Sequence, residues 1–307
     1  MTQTITKAVA YTEMLDRILQ QGPLTNDLNI NTDLLGELTG AGQLKVAKIA
    51  MDGLADHVRG AGFVQGDVSL NWETVTLHYD RSRKFNVDAM DDEESLGVVT
   101  ASLMGEFART KVVPEVDAVR FAKLADAASD DGTAEATTYS TAGAAYDAVL
   151  AAEEFIQDYG SALQDCVFYC APYVKTLLRK AAADNFQLRP GEGPNTNFMT
   201  FDEMKLVTVP KTRFYTAIEL MDGTSVGEKE GGYAKADAGA DINFMIVKPE
   251  SAEAIVKHNP LRYFAPEVNQ SDDAHLWEYR LYHDLFVYEQ KVNGIYLSAK
   301  APEGGQS

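Results

Sequence analysis

Residues 67–80 read DVSLNWETVTLHYD, and this stretch carries the strongest strand pattern in the chain. Leu70 and Trp72 alternate with polar residues, which is typical of a half-buried β-strand. Val75 and Leu77 continue the alternation one residue out of phase. Because a one-residue shift sends side chains to the opposite face of a strand, we predict a bulge or twist in the middle of this segment.

The flanking sequence extends this strand into a long ribbon. Residues 44–50 (LKVAKIA) alternate apolar and polar side chains, a glycine-rich stretch follows, and residues 85–89 alternate again. Residues 44–90 therefore predict an extended β-ribbon. A two-stranded ribbon is marginally stable in water, so we expect it to dock on a neighbouring subunit. The candidate inter-subunit contacts are Leu70, Trp72, Val75, Leu77, Arg81 and Arg83.

The residues before the ribbon predict an arm with few contacts to its own chain. Residues 11–19 place apolar side chains at helical spacing, and Gly22-Pro23 ends this short helix. Residues 24–42 are polar with isolated leucines. Such a segment is useful only where another surface covers those leucines, so we interpret residues 1–43 as an N-terminal arm.

A long helix is predicted after the ribbon. Acidic residues at 91–94 precede apolar residues spaced three or four apart, and the pattern continues to about residue 128. About 36 helical residues would extend roughly 50 Å, which is longer than an ordinary globular helix and favours a spine. Pro114 lies inside the pattern and removes one backbone hydrogen bond, so we predict a kink or short break there.

The remaining sequence predicts a mixed domain of α+β class. Residues 129–140 and 224–240 are polar or glycine-rich, and we expect loops there, the second one mobile. Predicted helices cover 141–159, 172–183 and 249–258, and predicted strands cover 166–170, 204–209, 213–221, 242–247, 276–290 and 294–300.

Composition limits the classes of protein that fit. The chain has 307 residues, with 46 acidic and 27 basic side chains and a formal net charge of −19. Such a surface repels nucleic acid on average, because DNA binding depends on Lys and Arg neutralising phosphates. The sequence has no apolar run of about 20 residues and no secretory pattern at its start, so we expect a protein made and kept in a cytoplasm.

No catalytic, cofactor-binding or metal-binding constellation is predicted. The acidic cluster at 91–94 could bind Mg²⁺, but consecutive helical positions do not converge on one point, which favours helix capping. His283 and Asp284 form a lone pair, which we interpret as strand residues rather than part of a catalytic triad. Cys166 and Cys170 lie four residues apart on a predicted strand, too far for a disulfide, and we expect them in the core.

Several stretches of the chain resemble a known family. AYTEML, GDVSLNWETVTLHYDRSRKFNVDAMDDEES and GEFARTKVVPEVDAVRFAKLA, together with KLVTVPKTRF, INFMIVKP and EYRLYHDLFVYEQKVNGIYL further on, are similar to major capsid proteins of tailed bacteriophages with the Hong Kong 97-type fold. The resemblance covers about residues 9–300. It implies an N-terminal arm (1–43), an extended loop (44–90), a peripheral domain with a spine helix (91–140 and 249–307) and an axial domain (141–248).

The resemblance also implies a function. Such subunits form pentamers and hexamers of an icosahedral shell that encloses double-stranded DNA without sequence-specific binding. Expected partners are other copies of the chain and scaffolding, portal and decoration proteins. The expected location is the virion, after assembly in the host bacterial cytoplasm, and no enzymatic activity, cofactor or membrane partner is expected.

Two alternatives remain open at this point. An encapsulin-like compartment would share the fold but hold an enzyme cargo, and neighbouring genes would distinguish it from a phage head. A soluble metal-dependent hydrolase would use the acidic cluster at 91–94 or the pair His283 and Asp284, and alanine at 283 would then abolish activity.

Overall fold

The computed structural model describes residues 22–29, 43–57, 63–94, 98–131, 133–185, 200–258 and 261–301. Helices and mixed sheets occur without a regular β–α alternation, which confirms the predicted α+β class. The predicted helix at 11–19 and most of the predicted arm lie outside the described residues.

The described elements are as follows, in chain order. The strands are β1 (Gln43–Met51), β2 (Val68–Thr76), β3 (Tyr79–Asp88), β4 (Ala134–Ala136), β5 (Val167–Cys170), β6 (Thr200–Phe201), β7 (Met204–Thr208), β8 (Ile218–Leu220), β9 (Tyr233–Lys235), β10 (Ile242–Val247), β11 (Ala252–His258), β12 (Leu261–Phe264), β13 (Ala274–Val287) and β14 (Ile295–Ala299). The helices are α1 (Ala89–Glu94), α2 (Val98–Phe107), α3 (Val113–Asp130), α4 (Ala142–Asp158) and α5 (Pro172–Asn185), with shorter 3-10 turns at Asn26–Leu28, Leu163–Asp165, Lys211–Arg213, Pro249–Ser251 and Glu289–Gly294.

Strands β1 and β2 form an antiparallel hairpin, and no third strand joins this sheet among the residues that the structure describes. Pairing runs from Gln43 opposite Thr76 to Met51 opposite Val68 without a shift. The bulge predicted near residues 73–74 is therefore wrong. Leu77, just beyond the end of β2, is buried in the body of the subunit.

The second sheet is built around the long strand β13, which pairs antiparallel with β11, β12 and β3. Strand β3 thus belongs to this sheet, and the projecting ribbon ends at Thr76 rather than at residue 90. The helix predicted for 249–258 is also wrong, because a short 3-10 turn at Pro249–Ser251 is followed by β11. Pairing with β13 and the β-branched Ile255 and Val256 favour the strand there.

The third sheet has six strands in the order β4-β14-β10-β5-β7-β6. Every residue of β10 is buried, as its apolar sequence INFMIV predicts. The predicted helix at 141–159 is confirmed as α4, which is followed by Gly160 at φ +80°. Strand β4 lies within the predicted 129–140 loop, and β14 pairs with β10 and β4 in this sheet.

The predicted spine is divided in the structure. Helices α2 and α3 are joined by a π-helical segment, Ala108–Val112, directly before Pro114 in the first turn of α3. In place of the kink or short break predicted at Pro114, the helix changes to π-helical bonding just before it, because a proline lacks the N–H that would continue regular α-helical bonding. Helix α3 contacts both β13 and β14, so it connects the two larger sheets.

The predicted mobile loop at 224–240 is partly ordered. Strand β9 pairs with β8 in a small two-stranded sheet, and the connection between them begins with a turn in which Asp222 accepts from the N–H groups of Thr224 and Ser225. The strand predicted for 213–221 is correspondingly shorter, because Lys211–Arg213 forms a 3-10 turn.

Candidate assembly surfaces

The β1–β2 hairpin exposes apolar side chains along one face. Ile49 lies opposite Leu70 in the register, Met51 lies opposite Val68, and directly paired residues point to the same side of a sheet. Ile49 and Leu70 are each 53% exposed, and Val68 is 68% exposed. The segments beyond the strands add further exposed apolar residues, namely Leu54, Phe63 and Val64.

This apolar face is unusual for a subunit that stays alone in water. Contiguous exposed apolar patches mark surfaces that bind another molecule. Among the described elements, β1 and β2 contact each other extensively and no third element to a similar degree. The tip is held by Asp52, whose carboxylate accepts a bond of 2.8 Å from the backbone N–H of Asp67. Within the described part of the subunit, the apolar face of the hairpin is therefore left uncovered.

The structure divides the predicted inter-subunit contacts. Leu70 is on the exposed face of the hairpin. Trp72 and Val75 lie opposite Ala47 and Leu44 in the register, and their side chains are outside the described part. Leu77 is only 3% exposed, so it packs inside its own subunit and is removed from the set of exposed contacts.

The two predicted arginines are engaged within the chain. Arg81 is paired with Glu115, with Nε 2.6 Å from Oε1, and it also donates to the backbone carbonyl groups of Met221 and Gly232. Arg83 donates to the carbonyl of Lys229 at 3.1 Å. Arg81, which the sequence predicted as an inter-subunit contact, therefore has these partners in its own subunit.

A cleft of about 200 Å³ lies beside these arginines. Its walls come from β3, from the π-helical segment and the start of α3, and from the β8–β9 connection. Phe107 packs edge-on against Phe85 and Tyr279, with ring centroids 4.8 and 5.9 Å apart. The charged groups on its walls include Arg81 and Glu115, which are already paired with each other, so the cleft has the character of a packing seam between elements.

The pair His283 and Asp284 does not form a catalytic dyad. The two residues are consecutive on β13, so their side chains point to opposite faces. His283 is 1% exposed and stacks on Tyr79, and its burial lowers its pKa to about 4. Asp284 is 2.8 Å from Nδ1 of His78 instead.

The other candidate chemical groups have structural surroundings. Asp91 and Asp92 lie in the first turn of α1, where their charge suits the helix dipole, but the capping bond comes from Asp88, whose carboxylate accepts from the N–H of Met90 at 2.9 Å. Cys166 and Cys170 are free and buried, and burial raises their pKa values to about 11 and about 12. In the described ranges, no three His, Cys, Asp or Glu side chains are grouped to hold a metal ion.

A buried polar network was missed by the sequence analysis. Asp117 on α3 is 1% exposed and accepts bonds from the hydroxyl of Thr25 at 2.7 Å and from Arg213 at 2.8 Å. Arg120 donates to the same hydroxyl at 2.9 Å. The available signal was the presence of two charged residues, three apart, on an apolar helix pattern, but their partners are distant in sequence.

This network holds part of the predicted arm against its own subunit. Leu24 and Leu28 are buried in the main core, and Lys205 is 2.7 Å from Asp27 at the edge of the segment. The leucines of residues 22–29 are therefore covered by the chain itself. In the part of the chain that the structure describes, no helix has the length and apolar character needed to cross a bilayer.

Comparison with known proteins identifies the fold. The chain of the bacteriophage PhiM1 mature capsid aligns with a TM-score of 0.64 and 10% identity, over 98% of this chain and 93% of that one. The capsid structure of the cyanophage P-SCSP1u gives a TM-score of 0.62 and 10% identity, over 96% and 93%. A structure from Mycobacterium phage Che8 gives 0.58 and 13%, over 97% and 98%.

Sequence comparisons add no closer relative. No protein-family model matches the chain, and no curated protein matches it. At 10–13% identity the three structural matches establish a shared fold over almost the whole chain. The fold of this chain is therefore the one found in these phage structures.

Proposed function

We propose that this chain is the major capsid protein of a tailed bacteriophage, a self-assembling subunit of an icosahedral head that encloses double-stranded DNA. The observation that carries the proposal is the end-to-end structural match, which covers 98% of this chain and 93% of the PhiM1 capsid chain. A match over the full length includes the hairpin and the spine as well as the compact sheets. The proposal gives the chain a structural role without catalysis or cofactor.

The hairpin supports the proposal independently of the comparisons. Its exposed apolar face has no partner element among the described parts of the subunit, and burying a leucine-sized side chain stabilises a contact by about 1.5–3 kcal/mol. In a shell, a neighbouring copy would cover this face. We therefore propose Leu70, Ile49 and Val68 as inter-subunit contacts on this face, and we propose Trp72 and Val75 of the same strand as further contacts.

The parts of the subunit are assigned accordingly. We propose a Hong Kong 97-type arrangement in which β1–β2 is the extended loop and α2 with α3 forms the spine helix. The sheet around β13 would belong to the peripheral domain, and the six-stranded sheet with α4 and α5 to the axial domain. The boundary between the two domains follows sheet membership, so β14 is placed with the axial sheet.

The net negative charge of the chain opposes association between copies. Each copy carries −19, so copies repel one another and the enclosed DNA at low ionic strength. Apolar contacts between pentamers and hexamers must outweigh that repulsion, and added salt should help by screening it. Scaffolding, portal and decoration proteins are the further partners expected in the virion, after assembly in the host bacterial cytoplasm.

Assembly of the full-length chain tests the proposal. The purified chain, alone and co-expressed with the genes next to its own, would be followed by light scattering and electron microscopy at low and high salt. Capsomers or closed particles of uniform diameter are expected, with DNA in particles from infected cells. A chain that stays monomeric under all of these conditions would contradict the proposal, and particles filled with an enzyme would favour the compartment.

A further inference from the structure

Two polar clamps hold the beginning of helix α3. The Asp117 clamp consists of Asp117, Thr25 and Arg213, which are 0–1% exposed. Besides the Thr25 hydroxyl, Asp117 accepts from the backbone N–H groups of Leu24 and Thr25 at 3.2–3.3 Å. Arg213 also donates to the carbonyl of Gly22 at 3.0 Å. This clamp fixes the N-terminal segment 22–29 on one side of the helix.

The Arg81 clamp acts on the other side. It consists of Arg81, Glu115 and the carbonyl groups of Met221 and Gly232, with donor–acceptor distances of 2.6–3.3 Å. Glu115 and Asp117 are two residues apart on α3, and each residue turns a helix by about 100°, so the two carboxylates are about 200° apart around the axis. The N-terminal segment and strand β3 therefore hold the same helical turn from opposite sides.

Both clamps also include residues of the β8–β9 hairpin or of the turn that precedes it. Arg213 lies in the 3-10 turn that precedes β8, and the hydroxyl of Tyr233 on β9 donates to the carbonyl of Thr212 at 2.8 Å. The Arg81 clamp takes its two carbonyl acceptors from the ends of the β8–β9 connection. At Gly223, where φ is +77°, an added Cβ would lie 2.9 Å from Arg83, so this connection lies close against β3. Helix α3, strand β3 and the β8–β9 hairpin are therefore each in contact with the other two.

The two clamps hold α3 at a point where the helical bonding changes. The helical turn they hold follows the π-helical segment Ala108–Val112 and Pro114. Interrupted helical bonding of this kind marks points where a helix can change direction, and such segments recur at functional sites. A helix end that lies next to an interruption depends on side-chain contacts for its orientation.

We propose that the start of α3 is a coupling point between the N-terminal segment and the root of the β1–β2 hairpin. Loosening the Asp117 clamp shifts α3 and thereby loosens the Arg81 clamp, and the reverse holds because coupling free energies are reciprocal. The consequence for assembly rests on the proposed function: a neighbour that binds the arm would change the orientation of the β1–β2 hairpin, because β2 leads directly into β3. The coupling itself is a property of one subunit.

Hydrogen exchange on the unassembled full chain tests the coupling without reference to shells. Thr25→Val keeps the shape of the side chain and removes the hydroxyl between Asp117 and Arg120. Loss of these buried bonds should speed exchange about fivefold at residues 22–29 and also at 79–83 and 221–232. Arg81→Lys should speed exchange at 221–232 and, through α3, at 22–29.

A matched control separates coupling from local loosening. Lys205→Ala breaks the exposed ion pair with Asp27 on the same N-terminal segment but touches neither clamp. Its effect should stay within residues 22–29. Effects of Thr25→Val confined to 22–29, together with effects of Arg81→Lys confined to β3 and 221–232, would overturn the proposal. If Thr25→Val reduces the folded fraction, hydrogen exchange of the Arg81→Lys variant decides alone. Reciprocal coupling requires this variant to speed exchange at residues 22–29 as well.

Discussion

The β1–β2 hairpin and strand β10 use apolar residues in opposite ways. All six positions of β10 are buried between β14 and β5 in the six-stranded sheet. The hairpin keeps Ile49, Val68 and Leu70 more than half exposed on a sheet that has two strands in the described part of the chain. An apolar pattern therefore predicts a strand but does not say which molecule buries its side chains.

The largest effect on folding is expected in the buried region. Phe244 on β10 is fully buried and lies 5.6 Å from Phe168 between ring centroids. Phe244→Ala should lower the free energy of unfolding by about 3–5 kcal/mol, because it leaves a cavity in a packed core. Leu70→Ala is the matched variant in the hairpin, and it should change that free energy by less than about 0.5 kcal/mol. Denaturant unfolding measures the free energy of unfolding of both variants. Equal losses would show that the hairpin and β10 contribute alike to folding.

The largest effect on assembly is expected in the hairpin. Leu70→Asp places a charge on the exposed apolar face and should raise the protein concentration needed for particles at least about tenfold. Subunit stability should be unchanged. Val226→Asp is the control, since Val226 is exposed on the β8–β9 connection, away from the hairpin. Light scattering against concentration measures the threshold, and similar shifts for both variants would show that the hairpin has no special role.

A buried histidine should make subunit stability depend on pH. The folded-state pKa of His283 is lowered to about 4, below the ordinary 6.5, so stability is lost as pH falls from about 6.5 toward 4. His283→Phe keeps the stacking on Tyr79 and removes the titrating group. The variant should gain about 2 kcal/mol relative to the parent at pH 5 and little at pH 8. An unchanged difference across this range, measured by thermal unfolding, would contradict the expectation.

A smaller effect of opposite sign is expected at Glu153 on α4. Burial raises its pKa to about 7, and the facing Asp202 raises it further, so the folded chain loses stability as pH rises from about 4.5 to 7. Glu153→Gln imitates the protonated form and should stabilise the chain by about 1 kcal/mol at pH 8. At pH 4 the variant and its parent should unfold alike. A stabilisation equal at both pH values would point to packing rather than titration.

Local patterns predicted the elements whose partners are close in sequence. Helix α4 and strand β10 follow directly from their apolar spacing, and the π-helical break lies where Pro114 requires one. The segment 249–258 was predicted as a helix because a short apolar run after a proline fits either structure. Pairing with β13, about 30 residues further along the chain, decided for a strand.

The assembly surfaces were predictable only in part. The alternation in residues 67–80 identified the ribbon, but its end at Thr76 depends on β3 pairing with a strand about 190 residues away. The arm was expected to make few contacts with its own chain, yet the hydroxyl of Thr25 bonds to Asp117, 92 residues away. Single side-chain bonds over such separations leave no periodic signal, so sequence patterns could not reveal them.

Thiol labelling tests whether a neighbouring copy covers the β1–β2 hairpin in assembled particles. Val68→Cys places a reactive thiol on the exposed face, while Cys166 and Cys170 are buried with raised pKa values and should react slowly. We predict labelling of Cys at position 68 at least about tenfold slower in assembled particles than in subunits, and fast again after dissociation. Equal labelling rates in particles and subunits would contradict the account.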